Sequence, residues 1–332
     1  MDELSGLVAV DNGYAVVNDG SDFANRRRIF FLNSSCRVTR TVPYPSRPRD
    51  PEDLGRAGDG SLWIADIGDN GRSRTTVALW KLAPRAKSPV LYRLTYPDGA
   101  HDAEALLVSR DGSPIIVTKS GGTAGLYAPA RALSRDKATP LRLAGEVTVP
   151  LTTTSNPFSF LGRAVITGAA ASPDGRHVAL RTYADAFEYD VDDGDVIKAL
   201  TTSKPRQIPL PDEPQGESIT YSADGRSLLT VSESSGQPAG SRPVLLRYPL
   251  PDRPAATATP SAPPTPSPTV SEAPAAPNAP NSPAQATKPA AEPTTAAASE
   301  TTPFNYIAVI VGVVVLLGVA LAAILVLRRR RE

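Results

Sequence analysis

Up to Leu250 the chain is a succession of short apolar runs, broken at regular intervals by one turn sequence. The copies are Val10-Asp11-Asn12-Gly13, Ala57-Gly58-Asp59-Gly60, Ser109-Arg110-Asp111-Gly112, Ser172-Pro173-Asp174-Gly175 and Ser222-Ala223-Asp224-Gly225. Asn-Gly and Asp-Gly accept the positive φ angles of a tight hairpin turn, so each copy predicts a β-hairpin. The strands before the turns end in Leu7–Val10, Leu54–Ala57, Leu106–Ser109, Ala169–Ser172 and Ile219–Ser222. The strands after them read Tyr14–Val17, Leu62–Ala65, Ile115–Thr118, Val178–Arg181 and Leu228–Val231. These runs are apolar on both faces, as inner strands pressed between neighbouring sheets must be. A third strand is predicted at Ile29–Leu32, Val77–Leu82, Gly125–Ala128, Ala186–Val191 and Val244–Tyr248. A fourth, more polar and alternating strand is expected in most repeats, and Arg37–Val42 and Leu141–Val149 suit such a half-exposed outer edge.

The turns recur roughly every 50 residues, the length of one four-stranded propeller blade. The pattern therefore predicts an all-β fold: a β-propeller of about five four-stranded blades, with six as the alternative. The fifth repeat has no fourth strand before the pattern ends, and the chain starts on the first inner strand. Met1-Asp2-Glu3 shows neither the basic nor the apolar part of a secretory signal. A segment upstream, carrying a signal, a closing strand and a partner for Cys36, is the expectation.

Beyond Leu250 the patterning stops. Residues 251–303 are mostly Pro, Ala, Thr and Ser, too polar to bury a core, and predict a disordered, extended stalk. At ~3.1 Å per residue its reach is about 160 Å. Ile307–Leu327 carries no charge and no proline, and its 21 positions include 15 Val, Ile and Leu. A helix of that length spans a bilayer. Arg328–Arg331 follow it at once, while Phe304 and Tyr306 precede it. The positive-inside bias puts the C-terminus in the cytoplasm and the aromatics at the outer interface. The expected organisation is an extracellular propeller (1–250), a proline-rich stalk (251–303), a single-pass transmembrane helix (304–327) and a cytoplasmic basic tail (328–332). The expected location is the cell membrane.

Composition narrows the function. The formal net charge of +1 supplies no basic face for nucleic acid. One cysteine, Cys36, excludes an internal disulfide and Cys-rich zinc sites, and reads as a small buried residue in a strand Ile29–Val38. The two histidines are separated: His101 at one end of the strands, His177 beside a turn at the other. No G-x-S-x-G elbow, H-E-x-x-H helix or Walker loop occurs, so a Ser-His-Asp hydrolase has no support.

Register supplies the candidate site. Eight positions before each turn glycine stand Ser5, Glu52, Glu104, Thr167 and Glu217. Each opens an innermost strand, so each is expected at one mouth of the central channel. The second strands end on the same face with Asn18 and Asp19, Asp66 with Asp69 and Asn70, Lys119, Arg181 with Tyr183, and Glu233. Polar groups from separated segments thus converge on one funnel, the usual form of a binding site. The glutamates could equally bond backbone amides and lock blade to blade. As a metal set, Glu52, Glu104 and Glu217 would take Ca2+ with carboxylates and water. The loop 66–71 lacks the closing acid of a calcium loop, Val77 standing in its place, and reads as a surface turn. Asp190, Asp192, Asp193 and Asp195 flank Gly194 and read as a solvated turn.

Ser172-Pro173-Asp174-Gly175-Arg176-His177-Val178-Ala179-Leu180 resembles the SPDG repeat of bacterial TolB-type propellers. The region from Glu3 to Tyr248 resembles secreted or membrane-anchored bacterial propellers of the esterase-like/phytase-like group, and Asp66-Ile67-Gly68-Asp69-Asn70 resembles a recurrent element of that group. The resemblance implies the propeller fold and leaves the activity open. The functional expectation is a surface module that binds an extracellular ligand or protein through the funnel. The alternative is a Ca2+-dependent hydrolase of phosphate esters or lactones on the same face.

Overall fold

A computed structural model of the chain describes residues 3–250, apart from 235, 236 and 239. The expected stalk, membrane helix and basic tail lie outside these residues. Among the described residues no helix is long and apolar enough to cross a membrane.

The strands follow the turn repeat. The first sheet holds β1 (Leu4–Val10), β2 (Gly13–Asn18), β3 (Arg28–Asn33) and β4 (Val38–Pro43). The second holds β5 (Pro51–Arg56), β6 (Leu62–Asp66), β7 (Val77–Leu82) and β8 (Val90–Thr95). The third holds β9 (Ala103–Val108), β10 (Pro114–Thr118), β11 (Thr123–Pro129) and β12 (Thr139–Thr148). The fourth holds β13 (Gly168–Ala171), β14 (His177–Arg181), β15 (Asp185–Asp190) and β16 (Arg206–Pro209). The fifth holds β17 (Gln215–Tyr221), β18 (Ser227–Glu233) and β19 (Leu245–Pro249). Every sheet is an antiparallel meander in chain order, and β8 and β12 meet in parallel at Leu94–Thr95 and Thr139–Pro140, joining the second and third sheets.

The turns work as the Asp-Gly chemistry dictates. Gly60, Gly112, Gly175 and Gly225 have φ between 69° and 84°, the left-handed region that a side chain resists. In all four the aspartate closes the turn, Asp59 by accepting from Ser61 N at 2.8 Å. Asp111, Asp174 and Asp224 each accept from the main-chain N–H two residues on, at 3.0 to 3.1 Å. Each also accepts the hydroxyl of Ser109, Ser172 or Ser222.

The inner strands close a ring. The first strand of each sheet packs on the first strand of the next, in the order β1, β5, β9, β13, β17 and back to β1. Each of the five apolar clusters fills one gap between adjacent sheets: Val17 with Leu54 and Trp80, Leu79 with Leu106, Val117 with Phe187, Ala186 with Tyr221, and Val16 with Leu229. These are the blades of a propeller. A fully buried Leu or Phe in such a gap contributes about 1.5–3 kcal/mol. At the axis Asp53 is wholly buried and accepts main-chain N–H bonds from Leu54, Leu106 and Ala169, so one carboxyl ties three blades.

Two local readings change. Cys36 lies outside any strand: it is exposed, with φ 57°, in the turn from β3 to β4. The strand stops at Asn33 because the Asn33 side chain accepts from the N–H groups of Ser35 and Arg37 and turns the chain there. The acidic run after β15 is not wholly a solvated turn. Asp195 caps a short helix, α1 (Val196–Thr202), by accepting from Lys198 N at 2.9 Å, and Val196, Ala199 and Leu200 pack into the gap between blades 3 and 4. The fourth strand expected in most repeats is present in blades 2 and 4 as well, as β8 and β16.

Candidate functional site

The site begins with a repeated irregularity. In β1, β5, β9 and β17 the pairing to the next strand skips one residue, and the skipped residues are Ser5, Glu52, Glu104 and Glu217. A bulge leaves its extra residue unpaired and re-aims the side chain. The same defect at the same register in four blades therefore sends four polar side chains to one end of the channel. In blade 4 the equivalent Thr167 instead donates to Gly216 O at 2.9 Å and fastens blade 4 to blade 5.

Around these residues the acids crowd. One oxygen each from Asp19, Asp50 and Glu52 lie within 4.8 Å of one another. Gly68 lines this group, and a side chain there would collide with the Glu52 and Asp50 carboxylates. Burial, then hydrogen bonding and repulsion from Asp50, pushes Asp19 up to about 8. Burial, with repulsion from Asp19, Glu104, Asp50 and Glu217, drives Glu52 well above the usual carboxylate range. Asp50 also rises, chiefly through burial.

On the next wall Lys119 is ion-paired and hydrogen-bonded to Glu104 Oε1 and lies 5.9 Å from the Tyr183 ring centre. Burial disfavours the ammonium, yet Glu104 and Tyr183 outweigh that and raise Lys119, which stays charged. Glu104 itself is pushed up to about 8 by burial, with Lys119 opposing. Among the described residues Glu104 Oε2 has no hydrogen-bond partner. Phe158 stacks on Tyr183 at 4.4 Å and brings the β12–β13 connection beside this wall, with Phe160 and Leu161 exposed at its tip. On a third side Gln215 bridges Glu217 and Glu233 at 3.0 and 2.7 Å. Glu233 rises to about 9 through burial and the neighbouring Glu217, Asp19 and Glu3.

Of the residues singled out from sequence, Glu52, Glu104, Glu217, Glu233, Asp19, Lys119 and Tyr183 are therefore gathered in one electrostatic neighbourhood. Three are engaged elsewhere. Asp66 accepts from Arg74 at 2.9 Å, from the Trp80 indole at 3.1 Å, and from the N–H groups of Arg49 and Asp50. Asp69 accepts from Ser73 N and Arg74 N, and these bonds overcome burial and hold its carboxyl low. The 66–71 segment is thus a loop folded around Arg74. Arg181 is fully buried against Glu213 at 2.9 Å and also donates to Ser218 O, joining blades 4 and 5. His101 lies 3.0 Å from both Asp98 and the Tyr127 hydroxyl, in a side cluster between blades 2 and 3.

Asp50, Gln215 and Asp53 were not picked out from the sequence. For Asp50 and Gln215 a signal was present: ten positions before the turn glycines stand Glu3, Asp50, Asp102, Val165 and Gln215, a row polar in four blades of five.

No family model matches the chain, and no curated protein matches it. Solved structures that align with it include the WD40 repeats of RRP9, at 14% identity over 75% of this chain and 64% of that one, TM-score 0.36. A virginiamycin B lyase from Staphylococcus aureus aligns at 13% identity over 70% and 63%, TM-score 0.35. A gluconolactonase from Xanthomonas campestris aligns at 15% identity over 75% and 78%, TM-score 0.39. These neighbours are propeller-like. The propeller assignment stands on this chain's own strand order and ring of inner strands.

Proposed function

We propose that the chain is a membrane-anchored extracellular binding module that takes its ligand at the acidic mouth of the propeller, around a divalent cation. The observation that carries the reading is the bulge repeated at Ser5, Glu52, Glu104 and Glu217, which collects side chains from four blades at one end of the channel. Asp19, Asp50 and Glu52 are the donors for the ion. A set made only of carboxylate oxygens suits Ca2+, a hard cation that completes its shell with water or ligand oxygens. Glu104 and Glu217, considered with Glu52 on sequence grounds, stand on neighbouring walls and face the ligand. The apolar stretch Ile307–Leu327 with Arg328–Arg331 after it supports the anchor and its orientation.

Titration calorimetry with Ca2+ on the full-length chain tests the reading. One ion per chain is the expected outcome, lost in Glu52→Gln and Asp50→Asn and kept in Glu146→Gln on an outer strand. An unchanged heat in Glu52→Gln would remove the site.

The hydrolase reading has one observation in its favour: the charged Lys119, held by Glu104 beside Tyr183, shares the mouth with the carboxylate triad. A cation and a fixed ammonium can polarise an ester or phosphoryl oxygen from two sides. Ca2+-dependent turnover of a phosphate ester or lactone that collapses in Lys119→Met, with Ca2+ binding intact, would select it.

A further inference from the structure

Blades 5 and 1 meet through two facing rows of side chains. Tyr14 and Val16 of β2 pack with Leu229 and Val231 of β18 in one apolar cluster. Strand side chains repeat every second residue, so Asn18 and Glu233 continue these two rows to the mouth. Asn18 is only 3% exposed. Among the described residues neither its amide oxygen nor its amide nitrogen has a hydrogen-bond partner. A buried polar group is ordinarily bonded, and one left open at a channel mouth calls for a bound group.

What that group is follows from the opposite row. Gln215 Nε2 donates to Glu217 Oε1 at 3.0 Å and to Glu233 Oε2 at 2.7 Å. A single nitrogen already bridges the two carboxylates, so their spacing suits N–H donors shared between them. Glu217 Oε2 is 3.5 Å from the Ser5 hydroxyl and remains open to a stronger donor. The corner thus offers carboxylates and one amide oxygen. It lacks the close convergence of three acidic oxygens that, among the described residues, occurs only at Asp19, Asp50 and Glu52. Two carboxylates and an amide oxygen that do not close around a metal match the three N–H bonds of an ammonium group.

We propose that the blade 5–blade 1 corner of the mouth is a subsite for a primary ammonium group of the ligand, held by Glu217, Glu233 and the Asn18 amide oxygen. The proposal rests on the mouth being the ligand-binding face and adds the chemical class of what binds there: an amine-bearing molecule. Burial and the neighbouring Glu217 push the Glu233 carboxyl up, and an adjacent ammonium would favour its ionised form.

The test is calorimetry on the full-length chain with saturating Ca2+, using 1,5-diaminopentane as probe and 1,5-pentanediol as its uncharged counterpart. The diamine is expected to bind and the diol to bind at least about tenfold more weakly. Glu233→Gln, which keeps an oxygen for Gln215, and Asn18→Leu, which fills the amide's volume, should each weaken the diamine about tenfold and leave Ca2+ affinity within about threefold. The two variants are independent, so misfolding of one leaves the other to decide. Equal binding of diamine and diol would overturn the proposal. So would diamine binding lost in Glu52→Gln but kept in both corner variants, because the ammonium would then sit on the carboxylate triad. Diamine binding that survives with no Ca2+ uptake would retain this subsite and end the cation reading.

Discussion

At the turn end of the propeller, Asp59, Asp111 and Asp224 are each met by main-chain N–H groups, and Asp111 and Asp224 also by a serine hydroxyl, and all three carboxyls are held below their ordinary value. At the mouth burial dominates at Asp19, Asp50, Glu52, Glu104 and Glu233, with repulsion between acids adding to it and Lys119 opposing it at Glu104, and all five are pushed up. The chain therefore uses the same side chains in two ways. Where a turn repeats, an acid is fully satisfied by its own neighbours and serves the fold. Where bulges repeat, acids from different blades are brought together with few donors, and burial raises their carboxyls.

Asp53 lies between these extremes, and removing it should have the largest effect. Asp53→Ala strands the N–H groups of Leu106 and Ala169 at the axis. A loss of about 3–5 kcal/mol by urea denaturation is expected. A loss under about 1 kcal/mol would show that the three blades do not depend on that carboxyl.

The two ends should also answer pH oppositely. A turn aspartate with a lowered pKa stabilises the fold above its ordinary value, and that contribution fades as pH falls through the lowered one. A mouth carboxyl with a raised pKa binds its proton more tightly folded than unfolded. Its contribution is complete below about pH 4 and fades as pH rises through the folded value, about 8 for Asp19 and Glu104 and about 9 for Glu233. In EDTA the melting temperature should therefore fall by roughly 5 °C between pH 5 and pH 9, and millimolar Ca2+ should remove most of that slope. Glu52→Gln relieves the crowding. In EDTA at pH 8 it should raise the melting temperature by about 2–4 °C while abolishing the Ca2+ response. A lower melting temperature would instead make Glu52 a lock between blades.

The smallest effect belongs to the turns. Asp111→Ala or Asp224→Ala should each cost about 1 kcal/mol, from lost neutral and charge-assisted bonds at an exposed site, with Ca2+ affinity unchanged. Changed Ca2+ affinity in either variant would blur the distinction between the two ends.

The same contrast explains what the sequence made legible. Asp-Gly turns are local, so their spacing gave the blades. The bulge position is fixed relative to the turn, so counting back eight residues from Gly60, Gly112 and Gly225 reached Glu52, Glu104 and Glu217, which share one mouth. Partners that arrive from afar were hidden. Arg181 looks like a funnel residue until Glu213 comes in from the next blade, and Asp66 until Arg74 folds back on it. Helix α1 has only seven residues, and its cap Asp195 is masked within an acidic run. Cys36 follows an apolar stretch, but its turn is set by the Asn33 side chain rather than by hydrophobic period.

A cation taken up at the mouth should displace protons from its raised carboxyls. Ca2+ titrations at pH 7.5 in two buffers of different ionisation heat measure this directly. Binding should release at least about one proton per ion, because Asp19 and Glu52 ionise as the ion enters. Identical heats in the two buffers, with Ca2+ bound, would contradict it.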